Sequence, residues 1–463
     1  MYHSPQSSSS LPLEPRREPE FSKDIRLKYA SVPLNQNQNG WLKDDRLPTA
    51  YPVLIGDTEA DWVVVGSGFA GISFARRLAA HAPQLKIIVI DAACAAESSS
   101  ARNSGFIIGL PHNIGSSTAE LKKAQSYRSL LQEGINQLAT LIEQQGIECE
   151  WENVGKYHCQ VDSHNERVLK EYTDNLDVMS EPYQILTQDA LYQKLGTRFY
   201  HKGIYTPSAI LVNPASLISG LASHLPHNIS AYNHTPVLAI RPGKVAQVIT
   251  PYGTIKAGKV MLATNALSRE LAPVTSKQAA MATFASITAP LTAEQRQKLP
   301  AMSSWGLTPV NAIAGATLRY TQDHRFLIRQ HVTPALNGRI TAAQTYQATR
   351  LHQQIFSKIY PQLKDVPITR TWSGTISVTR NGAPVWGELQ PGIYTAGGCN
   401  GAGVSKQTIA GTLLADYALG HDNPLIGAML ELGKANYLPP SPVLDAAIAL
   451  SLMKERFLGR KEI

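Results

Sequence analysis

The sequence predicts an α/β fold in which a Rossmann-type parallel sheet is interleaved with an antiparallel sheet. Three observations predict it. Residues 61–91 read as strand, glycine turn, helix and strand. Two later apolar strands, near residues 257–266 and 392–404, end in small or glycine-rich turns. Residues from about 275 to 370 carry apolar runs of period two, the mark of half-buried antiparallel strands.

The first unit is Asp61-Trp62-Val63-Val64-Val65-Gly66-Ser67-Gly68-Phe69-Ala70-Gly71. Its apolar run reads as a buried parallel strand. Gly66 permits the tight turn, Gly68 lets backbone approach a pyrophosphate at the helix N-terminus, and Gly71 lets the helix pack close to the sheet. The run Lys86–Ile90 reads as the next strand, and Asp91 stands at its end, 20 residues after Gly71, where a ribose hydroxyl is read. Ala92 follows it in the same wall.

The dinucleotide reads as FAD rather than NAD. One NAD needs one such turn. Here the segment Glu97–Phe106 is small, polar and Gly-containing, and it suits a loop around phosphates or a flavin edge through Ser100, Arg102, Asn103, Ser104 and Gly105. The strand ending Ala263-Thr264-Asn265 is a second such feature. The third is Gly397-Gly398-Cys399-Asn400-Gly401-Ala402-Gly403-Val404, a turn into a helix. The amides of Gly398, Gly401, Ala402, Gly403 and Val404 there suit the flavin end that becomes anionic on reduction.

These segments resemble the D-amino-acid oxidase/glycine oxidase/sarcosine oxidase superfamily of FAD enzymes, nearest the γ-glutamylputrescine oxidase-like branch. The branch's GRNGG is matched by Ala101–Gly105, and its ATNA-like strand end by Ala263–Ala266. Its W-x-G…T-x-N-x-x-P…G segment is matched by Trp372, Gly374, Thr379, Asn381, Pro384 and Gly387. Ala101 replaces the first Gly of GRNGG, and Ala402 stands where the branch often has His. The resemblance covers about residues 45–425. It implies a Rossmann-type FAD-binding domain interleaved with an antiparallel-sheet substrate domain, noncovalent FAD, and a Val237 backbone against adenine. Covalent attachment at Cys399 is the alternative, although the superfamily's cysteine attachment lies in another loop.

The expected organisation runs in seven segments. Residues 1–46 form an N-terminal extension, partly disordered, with order beginning near Leu47. Residues 47–150, 216–274 and 371–425 build the FAD domain, residues 151–215 and 275–370 the substrate domain, and residues 426–463 a C-terminal tail or helix. Within these, Tyr127–Gln145 has helical spacing, and His234–Ile240 reads as a strand. Residues 316–320 and 326–330 read as a hairpin, and Thr408–Leu419 as a helix.

The resemblance implies C–N bond oxidation by hydride transfer, giving an imine that hydrolyses. The substrate is then a small amine or amino acid, and O2 or another acceptor takes the electrons. Candidate catalytic and anchoring residues are Arg319, Tyr320 and Arg329 on the hairpin strands, of which one arginine at most is expected to point inward. Trp305, Trp372 and Trp386 are candidate apolar walls, Lys277 and Lys406 candidate charges for oxygen reactivity, and His324 and His331 the histidines of note. No metal is required.

Composition fits this reading. The chain has 463 residues, 17% charged, and a formal net charge of +8. Its Lys and Arg are scattered, so no nucleic-acid partner is expected. Four cysteines without ligand-like spacing favour a reduced, cytoplasmic chain. Residues 444–463 could lie on an acidic membrane surface, but docking on the protein itself is the favoured reading. The rival functions are a flavin-dependent monooxygenase, which would carry a GD dipeptide where Gly398-Cys399 stands, and a tRNA-modifying flavoprotein, which would show a basic patch.

Overall fold

The computed structural model describes residues 37–42, 51–110, 118–161, 166–271, 276–335, 339–440 and 442–462. Two eight-stranded sheets organise them. The first runs Val385–Gln390, Ile393–Gly397, Gly253–Leu262, Thr58–Val65, Ile87–Ile90 and Ile229–Tyr232, with Ala246–Thr250 and Ala239–Arg241 added antiparallel beyond Gly253–Leu262. The central pairings are parallel. Ile87–Ile90 is buried throughout, because layers cover both faces of this sheet. On one face the helices Phe69–His81 and Gly403–Leu419 bury Phe74, Leu78, Leu413 and Leu414 against Trp62 and Val64. Each such side chain, fully removed from water, contributes about 1.5–3 kcal/mol.

The second sheet runs Ile368–Val378, Ala279–Thr288, Phe326–Pro334, Thr317–Tyr320, Trp305–Pro309, Lys156–Gln160, Lys202–Thr206 and Gln184–Thr187. It is antiparallel except where Trp305–Pro309 meets Lys156–Gln160. The helix Ala342–Ile359, started by a Thr341–Gln344 capping box, covers one face. Its His352 is wholly buried, bonded to Ser286 Oγ at 2.7 Å and Gln330 O at 3.2 Å, and burial lowers its pKa to about 3. The other face of this sheet looks towards the first.

Several elements differ from the sequence expectation. Ile368–Val378 pairs along its length with Ala279–Thr288, so the chain returns to the first sheet after residue 378 rather than at 371. The strand expected at 234–240 is only Ala239–Arg241. The helix expected from Tyr127 begins at Thr118, and the late helix already at Gly403. The expected hairpin forms, with Thr317–Tyr320 against Phe326–Pro334.

Order does not wait for Leu47, which lies outside the described residues. Asn39 and Trp41 are already buried. Asn39 Nδ2 donates to Ala101 O at 2.8 Å, and Trp41 packs edge-on against Trp372. At the other end, Val443–Leu458 docks on the second sheet through Leu452 and Ile448, and Arg456 Nη2 donates to Val332 O at 2.8 Å. Among the described residues, no helix is long and apolar enough to cross a membrane.

Candidate active site

A cavity of about 1120 Å³ lies between the two sheets. At one end Gly66 turns the chain with φ +109°, and a Cβ there would sit 2.8 Å from Ala263 O. The helix that follows is N-capped by Gly68, with no side-chain cap and no acidic residue in its first turn. Gly66, Gly68, Phe69 and Ala70 line the cavity, whereas Gly71 lies behind them, packed so closely on Gly66 that only glycine fits. Asp91 and Ala92 line it too. Asp91 also braces the turn, accepting from Ser67 N at 2.7 Å, Ser67 Oγ at 2.8 Å and Ala93 N at 3.0 Å.

The loop after Asp91 uses its polar side chains on itself. Ser100 Oγ accepts from Phe69 N at 3.2 Å. Asn103 Nδ2 donates to Ser100 O at 2.6 Å, and its Oδ1 accepts from Gly105 N at 2.8 Å. Arg102 is buried. Its Nε donates to Glu97 O at 2.8 Å and its Nη1 to Asn37 O at 2.7 Å and Ser373 O at 3.3 Å. The residue expected to bring charge to a phosphate therefore ties this loop to two other segments, and burial lowers its pKa to about 10. Ser100, Arg102, Asn103 and Ser104 all reach the cavity wall. Val237, Ala263, Thr264 and Asn265 complete this side.

At the third glycine turn, Gly401, Gly403 and Val404 line the cavity, with Gly398 and Ala402 behind. Asn400 N donates to Ser377 O at 2.9 Å, which ties this turn to the edge of the second sheet. The helix Gly403–Leu419 also starts without a side-chain cap or an early acid. Two helix N-termini whose own N-cap residues supply no side-chain cap, each equivalent to roughly half a positive charge, thus open on one cavity, Ser100 Oγ reaching only Phe69 N of the first.

The far wall is the second sheet. Arg329 pairs with Thr317, and Thr308 with His158. The register Leu307↔Leu318 sets Thr308 beside Thr317. Arg329, Thr317, Thr308 and His158 therefore form one row across four strands, and all four line the cavity. His158 Nδ1 lies 3.1 Å from Thr308 Oγ1. Arg329 is half-buried, and Nη1 donates to Ala312 O at 3.2 Å. Lys156 reaches the same wall two residues before His158.

The cavity suits FAD. Its glycine turns leave room where a side chain would stand, as at Gly401, where a Cβ would meet nothing within 4 Å. Asn265 Oδ1 and Gln407 Nε2, on residues of its wall, are buried with no hydrogen-bond partner. Such orphaned groups cost about 1–3 kcal/mol unless a ligand satisfies them. The sequence model of the DAO family, FAD dependent oxidoreductase, matches residues 61–417. The chain belongs to this family.

This FAD-dependent oxidoreductase is 25% identical over 444 residues to the probable oxidoreductase OrdL of Rhizobium meliloti (strain 1021), covering 88% of this chain and 95% of that one. It is 24% identical over 371 residues to the gamma-glutamylputrescine oxidoreductase of Escherichia coli (strain K12), covering 78% and 84%. Its fold is similar to that of glycine oxidase from Geobacillus kaustophilus, with a TM-score of 0.66 at 18% identity over 82% of this chain and 100% of that one.

Not every candidate residue of this oxidoreductase reaches the cavity. The hairpin register pairs Arg319 with Leu327 and Thr317 with Arg329, so both arginines share one face, against the expectation that one would turn away. What separates them is the cover on that face. Arg319 is fully buried: Nη1 donates to Val212 O and to Gly105 O at 3.3 Å, and the guanidinium lies 4.9 Å from the Trp41 ring. Glu152 is 3.9 Å away, while Nε and Nη2 have no hydrogen-bond partner. Burial lowers its pKa to about 10. Gly105, expected at the flavin edge, stands against this guanidinium, where a Cβ would collide with Nη1.

Tyr320 faces the opposite core, against Trp305 and Phe326, with its hydroxyl 3.0 Å from His324 Nδ1. Trp305, Trp372 and Trp386 are packing residues outside the cavity wall. Lys277 lies over the Tyr437 ring, and His331 against Phe284. Lys406 is buried behind the third turn, donating to Gly398 O at 3.0 Å, and burial lowers its pKa to about 8. Cys399 does line the cavity. Lys156, His158, Thr308 and Trp41 escaped the sequence reading. A Lys and a His two apart in a short strand carry no mark of the face they occupy, and Trp41 lay in a stretch without periodicity.

Proposed function

We propose that this oxidoreductase oxidises the C–N bond of a small amine or amino acid, with Arg329 as the carboxylate anchor. Bound noncovalently, FAD supplies the acceptor for the hydride from the carbon beside the nitrogen, leaving an imine that water hydrolyses. The helix N-terminus at Gly68–Ala70 would hold its pyrophosphate, with Asp91 at the ribose, Val237 at the adenine, and Ser100–Ser104 along the loop. The amides of Gly401–Val404 would face the end of the ring that gains negative charge.

The remaining work belongs to the protein's own groups. The half-buried guanidinium of Arg329 offers a planar fork to a carboxylate and fixes the substrate's orientation. Thr317 and Thr308 offer hydroxyls beside it. The apolar walls of Ile108, Leu110 and Ile376 exclude water and favour the neutral amine that hydride loss requires. Electrons then leave to O2 or another acceptor.

The observation that carries this reading is the placement of Arg329 in the cavity wall, on the sheet that also presents Thr283 and Thr375 beside the glycine turns. Mixing the yellow holoenzyme anaerobically with a panel of amines, amino acids and their carboxamides tests it. Bleaching of the flavin band by amino acids, weaker with the carboxamides, is the expected result. Bleaching by none of the panel would overturn it.

A further inference from the structure

Lys156 is 2% exposed, and its ammonium stands 5.5 Å from the centre of the Tyr172 ring. Among the described residues it has no carboxylate partner. The acids of the neighbouring helix Glu166–Val178 have other partners, Asp177 bonding Tyr183, although Glu171 also lines the cavity. Glu166 pairs with Lys202 at 3.4 Å, Glu171 with Arg167 at 3.4 Å, and Asp174 with Lys170 at 2.8 Å. A buried ammonium without a counter-ion costs several kcal/mol.

Around it stand further unmet groups. Tyr172 Oη is buried with no hydrogen-bond partner, as is Thr206 Oγ1. Thr206 is the strand partner of Lys156, which sets their Cβ atoms about 5 Å apart on one face. The Lys156 ammonium and the Tyr172 ring stand together, with Thr206 behind them outside the cavity lining. Lys156 and Tyr172 both belong to the wall of the same cavity.

This cluster is distinct from the anchor at Arg329. The strand of Lys156 lies three inter-strand steps from that of Arg329, about 14 Å at the usual sheet spacing. The order of the steps is also informative. Ile368–Val378, which carries the third glycine turn's contact at Ser377, lies two strands from Arg329 and five from Lys156. Arg329 is thus on the cofactor side of the row, and Lys156 at its remote end. One small carboxylate cannot engage both.

We propose that the Lys156 end is a second anion subsite, and that the substrate carries a second carboxylate remote from the C–N bond that is oxidised. Lys156 Nζ supplies the charge, and Tyr172 Oη donates to a carboxylate oxygen. The substrate lies along the row Arg329–Thr317–Thr308–His158, so its length, and not only its amine, determines recognition. This proposal rests on the C–N oxidation reading above.

The test compares ω-carboxylate amino acids and secondary amines of increasing chain length with their ω-carboxamides, using holoenzyme. At the favoured length kcat/KM for the acid should exceed that for the amide by about tenfold or more, chiefly through KM. In Lys156→Met that ratio should collapse towards one, and Lys156→Arg should restore part of it. Equal values for acid and amide in the wild type, or a ratio that survives in Lys156→Met, would overturn the subsite while leaving amine oxidation intact. If no compound is oxidised, the C–N reading fails instead. The subsite is then decided by titrating α,ω-dicarboxylates into oxidised holoenzyme and following the flavin spectrum. Binding at least tenfold tighter than that of monocarboxylates of equal length, lost in Lys156→Met, supports it. No preference overturns it.

Discussion

The two ends of the cavity are built from different materials. At the glycine turns the cavity wall is mostly backbone: two helix N-termini, at Gly68 and Ala402, open without a cap from their own N-cap residues, and Ser100 Oγ reaches only Phe69 N of the first. The polar side chains nearby, those of Asp91, Arg102 and Asn103, mainly hold the loops in shape. On the second sheet the cavity wall is side chain, Arg329, Thr317, Thr308, His158 and Lys156 presented from a continuous ladder. A backbone site tolerates no added bulk but depends little on which polar residue stands beside it. A side-chain site keeps its architecture through substitution and changes its chemistry.

The largest effect on cofactor binding should come from adding bulk to the backbone end. Gly403 lines the cavity, and a Cβ there meets only Cys399 Cβ at 3.5 Å, so the backbone accepts a side chain whose outer atoms intrude on the cofactor space. Overpacking of this kind costs ~2–3 kcal/mol. Gly403→Leu should fold with a normal circular dichroism spectrum and retain roughly 30- to 150-fold less affinity for FAD. Normal flavin content would break the contrast.

Arg319 gives the next effect, on stability rather than binding. Arg319→Met leaves Val212 O, Gly105 O and Glu152 without their cation. A loss of ~1–3 kcal/mol is expected, read by denaturant unfolding of the holoenzyme.

His352 sharpens the difference in acid. Its pKa is about 3 in the folded protein and 6.5 for the ordinary group, so below pH 6.5 the unfolded chain takes up a proton that the folded chain refuses. Stability attributable to this histidine is present above pH 6.5 and is lost as pH falls from 6.5 towards 3, by about 1.4 kcal/mol for each pH unit. Relative to His352→Leu, the wild type should therefore weaken between those values. Parallel stability curves for the two proteins would contradict this.

Asp91 should give the smallest effect. Its carboxylate holds three donors of the turn, yet the glycine geometry persists without it. Asp91→Ala should weaken FAD binding by about 1 kcal/mol, roughly fivefold, in titrations of the apoprotein.

The same contrast explains what the sequence disclosed. A backbone site writes itself in glycine, because only glycine takes φ +109° at Gly66 or lets a helix lie on Gly66 as Gly71 does. The three turns were therefore legible, as was the alternation of the two sheets. The side-chain site was half legible. Arg319 and Arg329 sit in equivalent period-two strands and share a face, and strand periodicity cannot tell which end of that face is covered. Trp41, from a segment more than 250 residues away, does the covering. Tyr320 failed for a simpler reason, since neighbouring residues in a strand face opposite ways and Arg319 had taken the other side. The end of the strand Ile368–Val378 was misplaced because a buried strand reads alike in either sheet.

In the proposed reading Arg329 meets the substrate, whereas Arg319 holds the protein together. Stopped-flow bleaching of FAD-loaded wild type, Arg319→Met and Arg329→Met, mixed anaerobically with an amino acid that the wild type oxidises, tests it directly. Arg319→Met should saturate at the wild-type substrate concentration, and Arg329→Met at a concentration roughly 10- to 150-fold higher, the worth of a hydrogen bond to a charged group. The reverse order, or equal saturation in all three proteins, would contradict this division between the two arginines.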